Sequence, residues 1–217
     1  MGLIKQGILG GFRKKTGSVI GAYWRKLDVI RALPRNSGKP ATQQQLEQKQ
    51  KFALVTSFLS KASGLIDVGF KSADTATPMN KAVAYHLKEA VVGVYPDFSI
   101  DMEKFKYSVG SLELPYTMST EILMGAKIRF EWDRTDVDDG KLIQPSDTVT
   151  VVAYNADKHG FIKQVAATTR ATGEYELQLP EVFIGDNLHL YISFSSANKK
   201  SNSVSKYLGA VILTQSI

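Results

Sequence analysis

From about residue 97 to the C-terminus the chain alternates apolar and polar residues with the period of a β-strand, in short runs separated by turn-forming clusters. This pattern limits the fold more than any other feature. In KIRFEW (127–132), Ile128, Phe130 and Trp132 fall on one face. Tyr175, Leu177 and Leu179 alternate with Glu174, Glu176 and Gln178; Leu188, Leu190, Ile192 and Phe194 alternate with His189, Tyr191 and Ser193. VTVVAY (149–154) is apolar throughout, the signature of a strand buried on both faces. Further strands are expected at 99–110, at Phe161–Val165, and at 204–213, where Tyr207, Gly209, Val211 and Leu213 share a face. DRTDVDDGK, NADKHG, TRATG, PEVFIGDN and SSANKKSNS supply the turns. A lone sheet of this composition cannot cover both faces, so the pattern predicts two stacked antiparallel sheets.

The front of the chain obeys different periods. Residues 1–15 interleave Leu3, Ile4, Ile8, Leu9 and Phe12 with glycines and read as an extended arm. GSVIGAYW (17–24) and DVIRAL (28–33) predict a β-hairpin, and PRNSGKPAT (34–42) a linker. Thr42, with Gln45 three residues on, is a candidate helix cap; Leu46, Ala53, Val55, Phe58 and Leu59 then recur at helical spacing, up to a stop near Ser60–Gly64. SGLIDVGFKSADTA (63–76) reads as an apolar turn and a polar loop. A second helix starts at Thr77-Pro78 and runs to about Val92, with Val83, Leu87, Ala90 and Val91 as its stripe. The expectation is an α+β chain: an arm, hairpin and two-helix region over 1–96, then a β-sandwich over 97–217.

Charge divides along the chain. Residues 1–71 carry 13 Lys/Arg against 3 Asp/Glu, a net +10, whereas 72–217 carry 14 against 18, a net −4. Arg13, Lys14, Lys15, Arg25, Lys26, Arg31 and Arg35 are interleaved with Phe12, Tyr23 and Trp24, a pattern suited to phosphates and base faces. It suits equally an acidic protein surface, with Trp24 anchoring the hairpin. The chain has no cysteine, which excludes disulfides and thiolate metal sites. No run approaches the ~20 apolar residues of a membrane span. MGLIKQGILGGF is too broken by Lys5, Gln6 and glycines for a secretory signal, and Gln6 stands where myristoylation needs Ser or Thr.

Two resemblances follow. AKIRFEW, TVTVVAY and LQLPEVFIGDNLHLYISF resemble the second, third and sixth strands of a fibronectin type III or immunoglobulin-like sandwich over about 112–213, which implies that fold and leaves function open. KQGILGGFRKKTGSVIGAYWRKLDVIRALP, KPATQQQLEQKQKFALVTSFLS and AVAYHLKEAVVGVYPDFSID are similar to an uncharacterised family of Bacteroidota proteins, a domain of unknown function. The linker and first helix also resemble small proteins of phage genomes. These likenesses imply a protein made in the bacterial cytoplasm or a virion component, with no catalytic residues or cofactor to carry over.

Catalytic chemistry finds little support. His86, His159 and His189 share no motif with a nucleophile or with one another and read as scattered surface histidines. Gly7–Gly17 holds neither dinucleotide nor P-loop spacing. Glu113, Glu121, Glu131, Glu174, Glu176 and Glu181 are spread over many strands, with nothing to pair two of them as a glycosidase requires. Asp133, Asp136, Asp138 and Asp139 could offer oxygens to Ca²⁺, but a Glu at the twelfth position is missing, and a solvated interstrand loop accounts for them better. The sequence therefore points to a non-enzymatic structural or interaction protein. Its interface would comprise Leu3, Ile4, Ile8, Leu9, Phe12 and Trp24, its partner being another protein or a second copy. Nucleic-acid binding through 5–35 is the alternative. A third reading is a carbohydrate- or peptide-binding module displaying Tyr154, Tyr191 and Tyr207.

Overall fold

A computed structural model describes residues 2–3, 11–24, 26–34, 38–71, 76–134 and 143–214. The chain forms two units, Met1–Thr42 and Gln43–Ile217. The division thus falls at Thr42/Gln43, not at the expected 96/97.

In the first unit the predicted hairpin is present as β3 (Val19–Trp24) and β4 (Leu27–Ala32), with Trp24 opposite Leu27 and Lys26 in the left-handed region at the turn. Part of the expected arm joins them. β1 (Gly2–Leu3) pairs with β4 and β2 (Lys14–Thr16) with β3, making an antiparallel sheet of order β1-β4-β3-β2.

The second unit opens with α1 (Gln43–Lys61), α2 (Ser63–Gly69) and α3 (Pro78–Glu89). α2 occupies the stretch expected to be an apolar turn: Leu65 and Ile66 are buried there, and tertiary burial outweighs the cost of its glycines. α3 begins as predicted. The Thr77 hydroxyl accepts a bond from the Asn80 N–H (3.3 Å), and Pro78 fills the first helical position. It stops at Glu89, because Val91 opens a two-stranded hairpin, β5 (Val91–Val94) and β6 (Asp97–Ile100).

Seven strands then build the sandwich: β7 (Met118–Leu123), β8 (Lys127–Trp132), β9 (Thr148–Asn155), β10 (Gly160–Thr169), β11 (Glu174–Gln178), β12 (Asn187–Ser195) and β13 (Lys206–Ile212). One sheet has the order β11-β8-β7, the other β10-β9-β12-β13, and all pairings are antiparallel. The fourth strand joins the third rather than the three-stranded sheet. Of the two sandwich types in the expectation, this is the fibronectin type III arrangement. The expected strand over 99–110 is confined to β6; beyond it the backbone is irregular, and β7 takes the first place in the sandwich.

The strand called doubly buried is so, and the reason lies in the helices. Val149, Val151 and Ala153 face the sandwich core with Ile128, Phe130 and Trp132, while Val152 and Tyr154 face a second core with Phe58, Leu59, Ile66 and Val83. The four-stranded sheet is therefore the middle of three layers. Tyr191 and Ser193, which alternate with the inward residues of β12, are buried against the helical side. Phe105 and Tyr107, in the irregular stretch after β6, belong to that interlayer, with Met102 packed against it. Phe105 stacks edge-on against Phe58 (5.1 Å) and Tyr191 (5.2 Å), and the Tyr107 hydroxyl donates to the Thr150 carbonyl (3.2 Å). Gly69 lies so close to this segment that a side chain there would collide with the Tyr107 carbonyl.

Both outer strands of the four-stranded sheet are interrupted. β10 shifts register between Gln164 and Thr168, with Ala166 in the left-handed region, and β13 shifts beside Leu190/Tyr191. The β13 bulge breaks the predicted alternation: Tyr207 packs on the helical side, Leu208 and Val211 on the sandwich side.

His86, expected at the surface, is wholly buried. Its Nδ1 lies 2.7 Å from the Ala82 carbonyl and the Lys106 N–H donates to Nε2 (3.2 Å), a pairing that assigns the proton to Nδ1. Burial pushes its pKa below 6.5 against the opposing bond to Ala82, with Lys106 adding to the depression, and burial lowers that of the half-buried His189 as well. A histidine depressed in the folded state stabilises fully above its unfolded pKa, and that stability fades as pH falls below about 6.5 towards the folded value. Urea unfolding between pH 7.5 and 5 is expected to show stability falling with acid, with a shallower slope in His86→Gln. An unchanged slope in that variant would remove His86 from the account.

Candidate interaction surface

The strongest feature of the sequence, interleaved cations and aromatics, is carried by the first unit. Residues 1–42 hold nine Lys/Arg and one Asp, a net +8. Strand register decides which of them act together. Directly paired residues share a sheet face, so Leu3, Lys15, Ile20, Ala22, Trp24, Leu27, Val29 and Arg31 lie on one face. On it Leu3 is 54% exposed, Trp24 45% and Leu27 44%, while Val29 beside Leu3 is buried, and the exposed Lys15 and Arg31 share a row with Ile20 at the end away from Trp24.

The opposite face presents Lys14, Val19, Tyr23 and Ile30, and residues 11–13 cross it. Gly21 makes the crossing possible, because any side chain there would strike the Phe12 carbonyl. The Arg13 guanidinium stacks 4.9 Å from the Tyr23 ring. The expected interface is thus split. Leu3 and Trp24 share a face, whereas Phe12 belongs to the other and is half-buried. Arg13, Lys14, Lys15, Lys26 and Arg31 are all exposed. Ile4, Ile8, Leu9, Arg25 and Arg35 lie outside the described residues. Leu27 is a surface residue that sequence reading missed; its pairing with Trp24 across the hairpin turn was the available signal.

The remaining candidates are dispersed. Asp133 donates its N–H to the Thr117 carbonyl (3.1 Å), and Asp136, Asp138 and Asp139 lie outside the described residues. Among the described residues no group of three His, Cys, Asp or Glu is placed to hold a metal ion. His159 Nδ1 is 3.3 Å from the Tyr154 hydroxyl, and His189 Nδ1 is 2.9 Å from the Tyr207 hydroxyl. Glu121, Glu174 and Glu176 surround Arg129 on the outer face of the three-stranded sheet, at 3.3, 3.8 and 2.9 Å. Arg129 holds the Glu176 carboxyl below the usual carboxylate range. Tyr154 and Tyr191 are buried between layers, and Tyr207 is partly so; they are not the displayed rings of a sugar-binding face. Among the described residues no single helix is long and apolar enough to cross a membrane.

Fold and surface together define an α+β protein with a fibronectin type III-like sandwich, a helical layer and a cationic N-terminal sheet. The chain belongs to a family of unknown function, DUF6266, whose model matches residues 11–209. No curated protein matches it. Among solved structures it is similar to the FN1–FN3 domains of chicken CNTN1, with 13% identity and a TM-score of 0.33 over 48% of this chain and 33% of that one. It is also similar to the fn3 domain of human contactin 1, with 10% identity and a TM-score of 0.34 over 50% of this chain and 82% of that one. The chain thus spans about a third of the length of the chicken segment.

Proposed function

We propose that this protein is a non-enzymatic structural or interaction component, and that the sheet of residues 1–42 attaches it to a protein partner, foremost a second copy of the chain. One observation carries the reading: Leu3, Trp24 and Leu27 stand about half exposed on one sheet face, whose other end carries Lys15 and Arg31 in a single cross-strand row. Exposed apolar side chains gain free energy when covered, and charge at one end of the same face orients what covers them. An assembly or virion-type role fits such a device.

Sedimentation velocity of the full chain is expected to show concentration-dependent association that is lost on deletion of residues 1–15 and weakened at least tenfold by Trp24→Ala/Leu27→Ala. Identical monomers in all three proteins would defeat the proposal.

The exposure of Arg13, Lys14, Lys15, Lys26 and Arg31 beside Tyr23 and Trp24 supports the second reading, nucleic-acid binding. Each phosphate neutralised contributes a slope of about −0.9 to log K against log salt on duplex DNA. Absence of binding to both duplex and single-stranded DNA and RNA at 20 mM salt would dispose of it.

A further inference from the structure

Between α1, the β5–β6 hairpin and the end of β9 lies a cavity of about 420 Å³. It belongs entirely to the Gln43–Ile217 unit and has no part in the proposed attachment surface. The α1 residues that line it, Leu54, Ser57, Phe58 and Lys61, recur at three- and four-residue intervals, so one helix face forms one wall. The Phe98 and Tyr154 rings and His159 complete the lining.

The lining is chemically two-sided. Phe58 and Tyr154 meet edge-on at 5.2 Å, a fixed aromatic corner whose members are both buried. Polar groups gather on the same space: the hydroxyls of Ser57 and Ser99, the Tyr154–His159 pair, and the Lys61 ammonium. Lys61 is exposed and makes no ion pair with any described residue. A second cation, Lys51 on α1, sits 4.7 Å over the Phe98 ring. His159 is held at a φ of +52°, a conformation that non-glycine residues adopt at a cost of about 1 kcal/mol or more, and it delivers its ring to the phenol.

The space is an open groove whose volume, apolar walls and few polar groups suit a small ligand lying against it. The charge balance selects the ligand. The titratable side chains lining the cavity are Lys61, His159 and Tyr154, with no carboxylate among them. We infer that this cavity binds a small aromatic carboxylate, its ring against Phe58, Phe98 and Tyr154 and its carboxylate on Lys61.

The test uses the full chain with naphthalene-2-carboxylate, followed by calorimetry and by methyl NMR of labelled methionine. Of the five methionines, only Met102 lines the cavity. Saturable binding with one site per chain is expected, with the largest shift at the Met102 methyl. Lys61→Met is expected to weaken binding about tenfold, the neutral naphthalene-2-carboxamide to bind about tenfold less tightly, and Ser57→Trp to abolish binding by filling the cavity. Both substitutions replace exposed residues, and unchanged melting temperatures would confirm intact folds. Absence of saturable binding by naphthalene-2-carboxylate, phenylacetate and indole-3-acetate alike would overturn the inference. So would binding that survives Ser57→Trp, or equal affinity for acid and amide.

Discussion

Arg170→Ala is expected to lower stability by about 3–5 kcal/mol and to depress the melting temperature by on the order of 10 °C. Arg170 and Asp147 are each only 1% exposed, and Arg170 Nε stands 3.5 Å from Asp147 Oδ2. The guanidinium also donates to the Glu113 carbonyl (2.8 Å) and lies 4.3 Å over the Phe194 ring. Its backbone carbonyl accepts the Trp132 indole N–H (2.8 Å), and its N–H donates to the Asp147 carbonyl (2.7 Å). The pair thus ties the turn between β10 and β11 to both sheets. Removing the cation leaves a carboxylate desolvated without its partner, which costs more than the pair itself contributes. An Arg170→Met/Asp147→Leu double variant is therefore expected to recover most of the loss. Urea unfolding of the three variants checks the cycle; a loss below 1 kcal/mol in Arg170→Ala would show the site relaxes and lets water in.

Phe105→Ala is expected to cost about 3–5 kcal/mol and, more tellingly, to destabilise helices and sandwich together. Phe105 is 1% exposed and touches rings from α1 (Phe58), α3 (His86), β10 (Phe161) and β12 (Tyr191), all within 5.8 Å between centroids. It sits on no regular element, so its contribution is almost wholly tertiary. Far-ultraviolet circular dichroism and tyrosine fluorescence should follow one shared transition, displaced to lower denaturant. Helix signal lost ahead of the sandwich would mean that the layers fold separately.

Much of this architecture is legible in the residues. Ile128, Phe130 and Trp132 announced an inward face by strict alternation, and Thr77-Pro78 announced a helix start, because both signals are local. The continuous apolar run at 149–154 announced double burial without saying what covered the second side. The covering layer was hidden because the helices spread their apolar residues thinly, and because residues 101–112 are ordered by long-range bonds such as Ser108 to Ser203 (2.7 Å), which leave no periodic trace. His189 looked wet for the same reason: alternation distinguishes two faces but cannot tell solvent from another layer. At the candidate surface, the cations and aromatics were visible as composition. Their division between two faces required the pairing of Trp24 with Leu27 and of Gly21 with Lys14, a matter of register. The aromatic cavity, drawn from residues as far apart as Leu54 and His159, had no sequence signal at all.

The displaced registers at Gln164–Thr168 and beside Tyr191 have a consequence for how such molecules meet. A straight outer strand offers its free amides and carbonyls as a template on which another chain can crystallise, the first step towards fibrous deposits. Here both margins of the largest sheet are bent out of true, so lateral accretion finds no continuous ladder to extend. Lateral fusion of crowded copies along these two margins is thereby disfavoured.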